Sequence, residues 1–222
     1  MDPAVGWLLL WGTLVGLDLI TWPQAMIARP LVAGTVAGWI LRDVSSGAAV
    51  GVILELFALD LLPVGAARYP DYGAAAVGAT YAASGAPGVL SWGLAVLLGL
   101  VVAYAGQGGI HVVRRRTGAE VRRVAVALDA GDPDTIRQVH FRGIARDTVR
   151  SFGVTALGLV LAAAVRAWPL LGLQGTALLQ MVALGAALGV SVMGAVRLSG
   201  RGVARAWLAA GLVAGAGWVL LR

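Results

Sequence analysis

Neither cysteine nor lysine occurs in this chain, and histidine occurs only twice. Without cysteine there are no disulfides, thiolate metal sites or cysteine nucleophiles. Charge of either sign is scarce, at 13% of residues, where a soluble domain carries about 25%. Polar surface of the ordinary soluble kind is therefore excluded. No metal-ligand cluster, phosphate loop or nucleophile–base pattern is visible. The one suggestive glycine run, Gly106–Gly109, ends an apolar stretch and has no lysine after it, so it is not a nucleotide loop.

What fills the chain instead is hydrocarbon. Of 222 residues 59% are hydrophobic, and the mean hydropathy is +0.85. A helix needs about 20 apolar residues to cross a bilayer, so six or seven apolar segments fit. The expected fold is all-α: a polytopic membrane protein with about six to seven transmembrane helices plus broken or re-entrant elements. One membrane domain is expected over 1–222, with spans and a re-entrant core at 4–110, amphipathic helices at 111–150 and further spans at 151–222. The start, MDPAVGWLLLWG, has no basic n-region and no small-residue cleavage site, and reads as a first span.

The net charge of +6 does not point to nucleic acid, because nine of the 17 arginines fall between Arg114 and Arg150. Arginine crowded beside apolar spans is the positive-inside signal, which assigns that segment to the cytoplasm. Arg197, Arg201 and Arg205 follow two crossings later, on the same side. Within the basic segment, Val121, Val124 and Leu128 make an apolar stripe opposite Arg122 and Arg123. Asp132-Pro133 reads as an N-cap with proline at the first helical position.

Taken in order, Ala4 to about Ile20 is the first span, with Trp7, Trp11 and Trp22 as interfacial anchors and Asp18 facing water near its end. Trp22-Pro23 breaks the helix. The next segment, to Leu41, has Gly34 and Gly38 four apart. Gly47 and Gly51 repeat that spacing after the Ser45-Ser46-Gly47 turn, beside which Asp43 reads as a cap. Spacing of this kind lets helices approach closely. Ala74 to Ala83 is too short to span, and irregular apolar segments of this sort point to a transporter's binding site. The remaining spans are placed at Gly88–Ile110, Phe152–Trp168, Leu173–Val196 and Val203–Leu221.

Glu55 stands out within GVILELFAL, with no charged neighbour for four residues on either side. A charge at mid-membrane depth costs roughly 3 kcal/mol on insertion scales, so such a residue faces a cavity or a partner.

With these residues in view, the chain resembles the IIC membrane subunit of the mannose/fructose/sorbose family of the bacterial phosphoenolpyruvate-dependent sugar phosphotransferase system. The matching text is RPLVAGTVAGWIL, then Asp43 with Gly47 and Gly51, then LELFAL, then GAARYPD, with YAGQ at Tyr104–Gln107 and GDPDTIRQVH later. It covers about residues 15 to 165. Two positions depart from the family pattern: Arg42 and Asp60 stand where the family usually has glycine.

The resemblance implies a multi-pass protein of the bacterial inner membrane that pairs with a IID membrane subunit in a trimer of IIC–IID pairs. It implies elevator-like sugar movement. Phosphoryl groups would arrive from soluble IIA and IIB, so the chain is not an enzyme by itself, and no cofactor or metal is expected. An uncoupled facilitator or sensor is the alternative, with Arg42 and Asp60 as its marks.

Carboxylates and amides recognise sugars by hydrogen bonds to neighbouring hydroxyls. Substrate binding is therefore expected at Glu55, Asp71 and Gln24. The other readings stay open: Glu55 in an ion pair with Arg29, Arg42 or Arg68, Asp71 as a loop cap, and Gln24 as a helix-terminal hydrogen-bond donor. His111 and His140 read as surface histidines, and Arg114–Arg116 as a topology anchor.

Overall fold

The computed structural model describes residues 3–60, 67–85, 92–167 and 173–198, with separate helical residues between 202 and 213. Every regular element among them is a helix: α1 (Pro3–Ile20), α2 (Pro30–Ile40), α3 (Val44–Ala58), α4 (Tyr72–Ala83), α5 (Trp92–Arg123), α6 (Ala125–Asp129), α7 (Pro133–Ala167) and α8 (Leu173–Leu198). Four of these, α1, α5, α7 and α8, contain an apolar stretch long enough to cross a membrane. The expected span between Ala25 and Leu41 shortens to the 11 residues of α2, and α3 has 15. At 1.5 Å per residue neither reaches across the roughly 30 Å of hydrocarbon. The expected span at 203–221 lies largely outside the described residues.

α2 and α3 form a hairpin whose contact is backbone on backbone. A Cβ on Gly34 would stand 2.7 Å from the Gly47 carbonyl oxygen, and one on Gly51 would stand 2.8 Å from that of Pro30. The two glycine pairs spaced by four thus mesh with each other, a close approach of the kind that their spacing permits. The turn between the helices is a Schellman motif. The Asp43 amide donates to Gly38 O (2.8 Å) and that of Arg42 to Trp39 O (3.1 Å), leaving Arg42 at φ +59°. Only glycine occupies that region without penalty, which gives a physical reason for glycine at this position. Arg42→Gly is expected to raise stability by about 0.5–1 kcal/mol; a lower melting temperature for the variant would count against it. Asp43 then caps α3 as expected, accepting from the Ser46 amide (3.2 Å) and the Ser45 hydroxyl (3.1 Å), and its other oxygen accepts from the Gly85 amide (3.3 Å).

α4 occupies the centre. It is built mostly of alanine and glycine, and 11 of its 12 residues are buried against α1, α2, α3, α5 and α7. Small side chains allow this: a Cβ on Gly78 would lie 2.8 Å from the backbone of Gly158 on α7. Contacts along the helices fix their directions. Asp71, Gly78 and Ser84 meet Arg150, Gly158 and Arg166 in that order, so α4 runs parallel to α7. Gly12, Gly16 and Thr21 meet Thr155, Ser151 and Asp147, so α1 runs antiparallel to it. The start of α1 therefore lies at the end away from the basic segment, an orientation the sequence left open. At its other end α4 is closed by Arg166, which donates to the carbonyls of Tyr81 and Ser84 (both 2.7 Å) and lies over the Tyr81 ring.

The basic segment departs from the expected pair of separate amphipathic helices. α5 continues unbroken to Arg123, and α7 begins at Pro133 and runs without interruption into its apolar half. Asp132 does cap α7, accepting from the amide (3.1 Å) and hydroxyl (2.5 Å) of Thr135. The two extensions are clasped by Glu120, which pairs with Arg142 (2.9 Å) and Arg146 (2.5 Å). Hydrogen bonds from these guanidiniums hold its carboxyl below the usual carboxylate range. A depressed folded-state pKa contributes stability above the unfolded-state value and loses it as pH falls through the folded value. Hydrogen exchange of the paired extensions is therefore expected to quicken only below the ordinary glutamate range. Glu120→Gln should show the quicker exchange already at neutral pH.

Candidate functional site

A polar seam crosses the otherwise apolar bundle where α1, α4, α5 and α7 meet. Its centre is Arg150, read from its place in the basic run as cytoplasmic but buried within α7. Arg150 forms ion pairs with Asp71 and, at 2.7 Å, with Asp147, and donates to the Gly16 carbonyl at 2.8 Å. The side chains of Asp71 and Asp147 are 0% and 1% exposed, so two carboxylates share one guanidinium away from bulk water. Arginine suits this place because its planar fork serves several acceptors at once. Asp71 also caps α4 through the Ala74 amide (3.2 Å), and its own amide donates to Ala103 O (3.0 Å). Gly106 on α5 leaves no room between the helices: a Cβ there would meet the Asp71 Cβ at 2.6 Å.

The seam continues outward through Thr21, whose hydroxyl donates to Asp147. Thr21 in turn lines an open cleft of about 640 Å³, together with Gln24, Tyr69, Arg114 and His140. Gln24 is exposed and its amide makes one long bond, 3.5 Å, to the Ile20 carbonyl. It belongs to a non-helical segment in which Gln24 and Met26 both have positive φ. Such backbone persists only where its surroundings hold it. Here Asp18 does so, accepting from the amides of Ala25 (2.5 Å) and Ala28 (2.8 Å). The expectation that Asp18 faces water is corrected: it is 3% exposed, and its carboxylate is committed to these amides. Trp11, expected as an interfacial anchor, instead donates to the Ala33 carbonyl at 3.0 Å.

Glu55 stands apart from this seam, on α3. It pairs with Arg29, one of the three arginines that sequence left open, and accepts from the Leu31 amide at 3.3 Å. Arg29 offers α2 no side-chain cap, so the carboxylate of the neighbouring helix takes that role at the positive end of the α2 dipole. Of the three expected site residues, Asp71 is linked through Arg150 and Asp147 to Thr21, which lines the same cleft as Gln24. Glu55 secures the far end of the same segment, at Arg29 and Leu31. Asp60 meets Arg197 of α8 at 2.9 Å, an ordinary interhelical ion pair.

Sequence reasoning missed Arg150, Asp147 and Thr21. The available signal was the i, i+3 spacing of Asp147 and Arg150 close to an apolar run, which places both on one helical face.

Comparison with known proteins agrees with this architecture. The family described as the sorbose-specific IIC component of the phosphotransferase system matches residues 5–198. The mannose-specific EIIC component of Escherichia coli K12 is 32% identical over 122 residues, 55% of this chain and 45% of that protein. The fructose permease IIC component of Bacillus subtilis is 33% identical over 141 residues, 63% of this chain and 52% of the relative. The chain thus spans about half the length of the curated relatives it matches. Among solved structures, one described only as a membrane protein superposes with a TM-score of 0.79 at 22% identity, covering 97% of this chain and 87% of the other. A complex of the mannose transporter ManYZ with microcin E492 gives 0.59 at the same identity and coverage. These two likenesses concern the fold. The family match covers most of the chain, and with four helices of spanning length this protein belongs to the sorbose-type IIC components of the phosphotransferase system, multi-pass proteins of the bacterial inner membrane.

Proposed function

We propose that the chain is the sugar-binding membrane subunit of a mannose-type phosphotransferase permease, taking a hexose through the bundle by an elevator-like movement. The observation that carries this reading is the polar seam from Asp71 through Arg150 and Asp147 to Thr21, opening into the cleft at Gln24. Ionisable residues inside a membrane bundle are costly and mark substrate and ion pathways, so a buried charged seam is read as functional by default. A seam of carboxylate, hydroxyl and amide groups matches the donors and acceptors of a sugar ring. Asp71 and Gln24 are its contacts in this proposal, and Glu55 acts on the site by positioning. Glu55 and Arg29 hold the segment that carries Gln24 in place.

In this reading the partners are a IID membrane subunit, in a trimeric assembly of IIC–IID pairs, and the IIA and IIB proteins that supply phosphoryl groups, with no phosphoryl chemistry on this chain. Arg42 and Asp60, the two departures from the family pattern, have structural places in the α2–α3 turn and the α3–α8 ion pair.

Equilibrium binding of radiolabelled mannose to the purified protein tests the reading. Gln24→Ala and Glu55→Gln are each expected to weaken binding about tenfold, the loss of one or two good hydrogen bonds. Unchanged affinity in Glu55→Gln would remove that residue from the site. Unchanged affinity in both would remove the cleft.

A further inference from the structure

A second, smaller cavity of about 350 Å³ lies on the other side of Arg114 and Tyr69, between α5 and the extended segment leading into α4. Its polar lining is Arg68, Tyr69, Gln107, His111, Arg114 and Arg115. Three guanidiniums, an imidazole, a phenol and an amide converge there, with no carboxylate among the described lining residues. Gln107, His111, Arg114 and Arg115 occur at i, i+4, i+7 and i+8, so a single face of α5 presents all four.

Arg114 is what separates this cluster from a merely solvated basic face. Its guanidinium is fixed by neutral acceptors, Ala67 O at 2.8 Å and the Tyr69 hydroxyl at 3.0 Å, and lies 5.1 Å from the Tyr69 ring centroid. Arg29, Arg137, Arg142, Arg146, Arg150 and Arg197 each meet a carboxylate. Arg166 has neutral partners too, but they are the carbonyls at the negative end of α4. Arg114 lies near the opposite, positive end of the same helix. It is therefore a positioned cation whose charge no described group balances, in a hollow bordered by two more. Planar guanidinium forks in this arrangement are matched to a phosphate.

We propose that this cavity binds a phosphate ester through Arg68, Arg114 and Arg115. The oxyanion chemistry stands on the geometry alone. The identity of the ligand rests on the function proposed above: the phosphate of the sugar phosphate, held on its way to the cytoplasm. Gly106, beside Asp71, precedes His111 by five residues and Arg115 by nine, about 8 and 14 Å along α5. The cavity thus begins where the buried seam ends, on its basic side.

The test uses the full chain in nanodiscs of zwitterionic phosphatidylcholine, with mannose 6-phosphate, inorganic phosphate and mannose as probes. Arg68 and Arg115 have exposed side chains, so Arg68→Gln and Arg115→Gln spare the fold, which melting temperature verifies. Mannose 6-phosphate is expected to bind, to be displaced by inorganic phosphate, and to lose about tenfold in affinity with each substitution, while mannose binding stays unchanged. Arg114→Lys keeps the charge without the fork and should weaken the ester as well.

A third arm uses discs containing phosphatidylglycerol. If that lipid is retained by the wild type and lost from the double glutamine variant while free phosphates do not bind, the same site is assigned to a lipid headgroup. Equal phosphate affinity in wild type and double variant, or no binding of any phosphate in either disc, overturns the proposal. Phosphate binding without mannose binding would overturn the transport reading alone.

Discussion

Arg150→Met is expected to cost the folded protein about 3–5 kcal/mol, because it leaves two carboxylates buried without their counter-charge. Asp71 and Asp147 reach no other cation among the described ion pairs, and neither is open to water. The measurement is thermal melting in detergent, with yield as a second readout. An unchanged melting temperature would sink the claim that this guanidinium holds the seam together.

The compensated variant is more informative. Replacing a whole buried ionic group by neutral groups of similar shape is often close to neutral for stability. Asp71→Asn combined with Asp147→Asn and Arg150→Met should therefore recover most of the lost stability. Asparagine still caps α4 at position 71 and still accepts from Thr21 at position 147. Mannose binding should not recover, if Asp71 contacts sugar as proposed. Recovery of both properties would make the seam a structural device and remove it from the substrate path.

The second large effect is expected at Gly47. A Cβ there would press into the Gly34 carbonyl and stand 2.8 Å from the Gly38 Cα and 3.0 Å from its nitrogen. All three obstacles are backbone, so no side chain can swing aside, and the helices must part along their whole contact. Even Gly47→Ala is expected to cost more than about 3 kcal/mol, the upper end of ordinary overpacking. Gly108→Ala is the matched control: a Cβ there meets nothing within 4 Å, and alanine in a helix interior should add about 0.5–1 kcal/mol. Opposite signs for two Gly→Ala changes in one protein, read by melting temperature, follow from packing alone. Equal small effects would mean that α2 and α3 are not in backbone contact.

The glycine hairpin was legible in the sequence because a spacing of four is local, and it is enough to line up small residues on one helical face. The caps at Asp43 and Asp132 were legible for the same reason: each reaches an amide three residues ahead. The buried seam was not. Asp71 and Arg150 are 79 residues apart, and nothing local joins them. Arg150 was read as cytoplasmic because it closes a run of arginines, yet α7 carries it inward past the end of that run. Asp18 failed similarly, since the amides it serves, those of Ala25 and Ala28, lie beyond the helix break at Trp22-Pro23.

By itself, the sequence determined that this protein is helical, membrane-embedded and of the sorbose-type IIC family. Hydropathy, turn residues and the ordered motifs are all properties of neighbouring positions. Only the tertiary structure decided which acid meets which arginine, that Glu55 caps α2 through the Leu31 amide while pairing with Arg29, and that α4 is the buried axis of the bundle. A short run of alanine and glycine is too weakly patterned to announce its place. It becomes central because its lack of bulk lets the surrounding helices close around it, and that closure gathers distant charges into one seam.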